Sequence, residues 1–123
     1  MGRRRQKAPA PIEKAIQAAV IEHWRTLGLR DTLVAAIPNA GALGQPGLTC
    51  GLGDLLVVSP SLPGCVGFLE LKREERSPVS DAQRAFERLC MKLGVPYALC
   101  VGRDEPIRIL EAWGVVRTQA RAA

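Results

Sequence analysis

Histidine is nearly missing from this 123-residue chain, with His23 the single copy. Cysteine occurs four times, at Cys50, Cys65, Cys90 and Cys100, but never as a C-x-x-C pair. A zinc site in its usual spacings is therefore not expected. Nothing points to export, so a disulfide framework is not expected either. Cys90 and Cys100 sit in apolar runs and read as small core residues. Cys50 lies among glycines, with no nearby base to mark it as a nucleophile. Aromatic residues make up only 4%, so the core must be Leu, Val, Ile and Ala. No apolar run is long enough to span a bilayer, and no secretory h-region follows the basic start. The expectation is a soluble, cytoplasmic protein. There is no internal repeat. The glycines are not followed by G-K-[S/T], which excludes a P-loop.

What is present suits one small globular domain: 47% hydrophobic and 24% charged residues. The net charge is +5, but Arg3, Arg4, Arg5 and Lys7 supply four of those positives. Without them, 13 basic side chains face 12 acidic ones. The domain body is nearly neutral, and the basic character sits in a short arm over residues 1–10. Such an arm can hold phosphates non-specifically or stay solvated.

From Pro11 the apolar spacing is helical. Ile12, Ile16, Ala19, Val20, His23, Trp24 and Leu27 recur on one side, and Gly28 suits a stop. This predicts a first helix over 11–27. A strand is predicted over 32–38 (TLVAAIP), followed by a long loop with five glycines between Asn39 and Gly53. Loops of that length are usually functional or disordered. Strands follow at 54–58 (DLLVV) and 66–72 (VGFLELK), joined by SPSLPGC. After the charged loop REERSPV, Ser80 and Gln83 have the spacing of a capping box. That predicts a second helix ending at Gly94, with Ala82, Phe86, Leu89, Cys90 and Leu93 as its buried stripe. A strand over 97–101 and a helix over 105–112, capped by Asp104, complete the domain, which is expected to end near 117 with a frayed tail over 118–123. The order α-β-β-β-α-β-α implies an α/β fold with a mixed central sheet of about four strands. The third strand, second helix and fourth strand have the length of a right-handed parallel crossover.

The hairpin places charged residues together. A symmetric turn centred on Leu62 pairs Val58 with Val66, Leu56 with Phe68, and Asp54 with Glu70. Directly opposed residues share a face with Cβ atoms about 5 Å apart. Lys72, two residues past Glu70, shares that face, while Leu69 and Leu71 turn to the core. Two carboxylates that close need a proton or a cation between them. Hard oxygen donors suit Mg²⁺ or Mn²⁺, which can polarise a phosphoryl oxygen and activate water. Taken alone, an Asp and a Glu-x-Lys are more often just exposed charges on a half-buried strand.

The ordered set of residues carries more. Gly53-Asp54 followed by Glu70-Leu71-Lys72 resembles the core of the PD-(D/E)xK nucleases. Glu13, Ile16 and Gln17 in the first helix are similar to the VRR-NUC branch of that superfamily. So are Pro38-Asn39-Ala40-Gly41, Ser80-Asp81-Ala82-Gln83 and Glu111-Ala112-Trp113-Gly114. The likeness covers about residues 12–116. Two features depart from the family: Gly53 stands where proline usually precedes the aspartate, and the loop after Lys72 is longer. The resemblance implies a restriction-endonuclease-like fold and metal-dependent cleavage of DNA. It implies that Asp54 and Glu70 ligate Mg²⁺ or Mn²⁺ with the Leu71 backbone carbonyl. It implies that Lys72 orients the attacking water and that Gln83 reaches the site from the second helix. Glu13 would act as an accessory acid or further metal ligand. Glu22 competes for that role from nearly the opposite helix face, and a helix-start carboxylate favoured by the dipole explains Glu13 equally well. The likeness further implies a branched or Holliday-junction-like substrate and a homodimer, in a phage or mobile-element setting, with Arg3, Arg4, Arg5 and Lys7 adding phosphate contacts. The competing expectations are a non-catalytic DNA-binding module on the same fold, and an assembly protein whose charges are only surface pairs. His23 is assigned no role, Asn39 reads as a turn residue, and Trp24 and Trp113 read as core.

Overall fold

The computed structural model describes residues 10–38, 46–47, 49 and 51–119. The arm residues Arg3, Arg4, Arg5 and Lys7, together with Asn39, Gly41, Gly44 and Cys50, lie outside them, as does the end of the chain from 120.

Helix α1 (Ala10–Leu27) begins one residue before the predicted Pro11. Its Ile16 and Val20 are buried, and Ile21, Trp24 and Leu27 pack beside them. Gly28 ends it, donating its N–H to the Trp24 carbonyl at 2.7 Å. A Cβ at this glycine would stand 2.6 Å from Trp24, so the close turn requires Gly.

Strands β1 (Leu33–Ala36), β2 (Leu55–Val58), β3 (Val66–Lys72) and β4 (Tyr97–Val101) form one sheet in the order β1-β2-β3-β4. The first three run antiparallel, and β4 lies parallel to β3, as the crossover spacing predicts. The symmetric register holds for Val58–Val66 and Leu56–Phe68. β1 is shorter than its predicted span at both ends, and β2 loses its first residue, Asp54. A short 3₁₀ turn, Pro63–Cys65, closes the hairpin.

One sheet face carries Val34, Leu55, Val57, Leu69, Leu71 and Cys100 into the core with Ile16, Val20, Leu110 and Val115. Leu55, Leu69 and Leu110 are fully buried, and each contributes roughly 1.5–3 kcal/mol by leaving water. The other face is covered by α2 (Asp81–Leu93). Phe86 meets Phe68 edge-on at 4.9 Å and Tyr97 at 5.9 Å.

Helix α2 has the predicted capping box and ends at Gly94 in the left-handed conformation. Its buried stripe is shorter than predicted. Cys90 is buried, but Leu89 is 50% and Leu93 65% exposed. Met91 is exposed as well, and so is Leu99 on the edge strand β4. Helix α3 (Asp104–Ala112) starts one residue earlier than expected, with Arg103 at the cap and no side-chain cap bond. The chain turns early because Gly102 (φ +77) donates to the Lys72 carbonyl and Glu105 accepts from Val101 N–H at 2.7 Å. Asp104 therefore sits in the first turn and is not the cap. No helix of the described residues is long and apolar enough to cross a membrane.

Candidate active site

The β2–β3 ladder stops at Leu55–Leu69, one step short of the predicted Asp54–Glu70 pair. Gly53 is the reason. Its φ of +100 turns the backbone, and the Asp54 N–H then donates to the Leu69 carbonyl at 2.8 Å. The distortion works as a β-bulge does, re-aiming a side chain at a strand end. The Asp54 carboxylate takes the Leu71 N–H on its Oδ2 at 2.6 Å. Asp54 also accepts from Ile37 N–H through its carbonyl at 2.9 Å, which ties β1 to the same point. The position usually held by proline in the resembled family is thus one that proline, locked near φ −65°, cannot occupy here. A Cβ on Gly53 would also press on the Leu69 carbonyl at 3.2 Å.

The two carboxylates still come together. Glu70 is only 4% exposed. Burial raises its pKa to about 8, helped by the charge of Asp54 and a hydrogen bond with it, while Lys72 pulls the other way. A small further push comes from Glu13. A proton or a cation is what such a pair lacks.

Gln83 is the joint of the site. Its Nε2 donates to Glu70 Oε2, and its Oε1 accepts from Ser80 N–H at 2.8 Å. Its own N–H donates to Ser80 Oγ at 3.1 Å. The residue that caps α2 therefore also holds the buried carboxylate. Gly51 (φ +86), in the glycine-rich loop, allows this approach. A Cβ there would lie 2.6–2.8 Å from the backbone of Ala82 and Gln83. The glycine-rich pattern suggests only a loop that is free to move. It does not reveal this role, because a glycine count does not say which glycine is fixed.

Lys72 is buried at 8% exposure, but it forms no ion pair with either carboxylate among the described residues. Its Nζ donates to the Pro78 carbonyl and lies 3.5 Å from Gln83 Oε1. Two cavities meet here. The first, about 560 Å³, is lined by Glu13, Asp54, Glu70, Leu71, Gln83 and Gly53 among others, and Lys72 is not part of its wall. The second, about 350 Å³, is lined by Glu13, Lys72, Arg73, Glu74, Arg76, Ser77 and Pro78. Glu13 borders both. Glu22 is exposed and borders neither, so the geometry brings in Glu13.

The donor set suits a divalent cation: two close carboxylates, one buried deeply and in need of a counter-charge. Among the described residues no three His, Cys, Asp or Glu side chains cluster tightly enough to form a metal cage. Mg²⁺ does not need one, since it usually keeps several waters and takes one or two carboxylates. Tyr97, behind Glu70, has its hydroxyl pKa raised by burial and by that carboxylate, so it stays neutral.

No family model matches the sequence, and no curated protein does. Solved structures do match. One, described as a VRR_NUC domain protein, superposes with a TM-score of 0.70 at 17% identity, covering 93% of this chain and all of the other. A second, described as a VRR_NUC domain, gives 0.59 at 22% identity, covering 80% and 94%. The chain has the VRR-NUC fold, an α/β architecture.

Proposed function

We propose that this protein is a metal-dependent endonuclease that hydrolyses phosphodiester bonds in DNA. The observation that carries the reading is the close Asp54–Glu70 pair, with Glu70 buried and braced by Gln83 at the end of a hairpin in a VRR-NUC fold. Mg²⁺ or Mn²⁺ is the proposed cation, with Asp54 and Glu70 as its carboxylates, the Leu71 carbonyl beside them, and Glu13 reaching it from α1. When bound, it supplies Lewis acidity toward a phosphoryl oxygen and makes water acidic enough to attack near neutral pH.

The chain's own residues do the rest. Gln83 fixes the rotamer of Glu70 by donating to one oxygen. The Leu71 N–H holds the Asp54 carboxylate by its Oδ2. Lys72, already desolvated, presents an ammonium beside Gln83 that orients water and offsets charge on the phosphate. Branched DNA is the proposed substrate. A two-fold junction would match a homodimer of so small a domain.

The test is cleavage of four-way junction, flap, single-stranded and linear duplex DNA with Mg²⁺ or Mn²⁺. Wild type should cut, and chelator, Glu70→Ala and Lys72→Ala should each abolish cutting. Cutting that survives both substitutions contradicts the site. DNA binding without any cutting would assign the chain to the non-catalytic module.

A further inference from the structure

The charged loop after β3 is not explained by the carboxylate site. The two cavities that meet at Glu13 have opposite electrostatics. Three carboxylates and one lysine, Lys14, line the first. Lys72, Arg73 and Arg76 line the second, against Glu13 and Glu74. An excess of positive charge in a concave site favours an anion.

Three details show that side chains of this loop lack strong partners. The Arg73–Glu74 ion pair is long, 3.8 Å, with both side chains substantially exposed. Such pairs are worth little, so the Arg73 guanidinium is available to another acceptor. Arg76 is exposed and makes no ion pair among the described residues. The Ser77 hydroxyl, on a residue of the cavity wall, is shielded from water and has no hydrogen-bond partner among the described residues. Two guanidiniums are a donor set that recognises a phosphate, since Arg presents a planar fork to its oxygens.

We propose that this second cavity is a phosphate subsite, in which Arg73 and Arg76 take a backbone phosphodiester next to the one being cut. It rests on the nuclease reading for its assignment to the substrate strand. Lys72 lines this second cavity beside Arg73 and Arg76, and Glu13 borders both cavities. The length of the loop after Lys72 then has a use: it carries the cations out from the strand end to the neighbouring phosphate.

The experiment is DNA binding in metal-free buffer as a function of salt, with a fluorescent duplex and a four-way junction. Arg73→Gln/Arg76→Gln should weaken binding several-fold at about 0.1 M salt. Its log K against log salt slope should be shallower by about 0.9 for each phosphate no longer neutralised. Arg73→Lys/Arg76→Lys, which keeps the charge, should recover most of the slope. A matched control, Arg25→Gln/Arg117→Gln, removes two exposed arginines at the far end of α1 and should leave the slope unchanged; melting curves confirm that each variant is folded. An unchanged slope in Arg73→Gln/Arg76→Gln overturns the subsite, as does an equal loss in the control. Cleavage with Mg²⁺ is read separately. A wild type that cuts while the slope stays fixed loses only the subsite. A wild type that binds through Arg73 and Arg76 but never cuts loses only the nuclease reading. A wild type that binds no DNA overturns both.

Discussion

The two ends of the β2–β3 hairpin follow opposite rules. At the turn end almost every polar group is matched. Ser59 N–H donates to the Cys65 carbonyl, Cys65 N–H to the Leu62 carbonyl, and Ser61 Oγ to the Trp113 carbonyl at 2.5 Å. Ser59, fully buried, shares a 2.6 Å hydrogen bond with Ser61. At the other end the ladder breaks at Gly53, and a glutamate is buried beside an aspartate. Burying like charges together opposes folding unless something else neutralises them. One end of the hairpin contributes stability, and the other gives up stability to hold two carboxylates close together. Proteins break local consistency most often at functional sites.

The largest effect expected is from Glu70→Gln. It should lower the cleavage rate at least about a hundredfold, the order seen when a group that stabilises developing charge is removed. It should also raise the melting temperature of the metal-free protein at pH 8 and above. A variant that loses both activity and stability would erase the contrast between the two ends.

Gly51→Ala comes next. Its Cβ cannot fit against the backbone of Ala82 and Gln83, and φ +86 strains it further. The start of α2 must move, and Gln83 with it. Cleavage should fall by more than about tenfold with kcat more affected than KM, alongside a stability loss of about 1–3 kcal/mol. Equal loss in the two constants would point to general disorder.

Ser61→Ala probes the quiet end. It should cost about 1–2 kcal/mol, because the buried Ser59 hydroxyl loses its acceptor and the Trp113 carbonyl its donor, while the Ser61 N–H still reaches Ser59 Oγ. Cleavage per folded molecule should be unchanged. A drop in rate would mean that the turn end communicates with the site.

The pH dependence sharpens the comparison further. Glu70 binds its proton more tightly folded than unfolded. The stability this contributes is complete below about pH 4.5, and it is lost as the pH rises through about 8. Metal-free wild type should therefore show a melting temperature that declines across this window, and Glu70→Gln should lack that component. The opposite slope in wild type would contradict the buried pair.

Much of this is legible in the sequence because local signals agree. The Ser80–Gln83 capping box and Gly94 bracket α2, the VGFLELK run marks β3, and the seven-residue turn sets the register of Leu56 against Phe68. The Asp54–Glu70 pairing fails by one step because alternation cannot show that Gly53 takes a positive φ. Leu89 and Leu93 look buried in the sequence because helical periodicity identifies a face without saying how far a partner extends beneath it. The position of Lys72 in the wall of the second cavity depends on Pro78, whose carbonyl is placed by the loop and not by any strand pattern. Gly51 is one of five similar glycines, and only the packing of α2 singles it out.

The most direct test of the Asp54–Glu70 carboxylate pair as a cation site is calorimetric titration of Mn²⁺ at about pH 7 in two buffers with different ionisation heats. Metal takes the ionised carboxylates, so binding should release close to one proton from Glu70, and both binding and release should be lost in Asp54→Asn. Binding that is indifferent to Asp54→Asn, or that releases no proton, would contradict the pair.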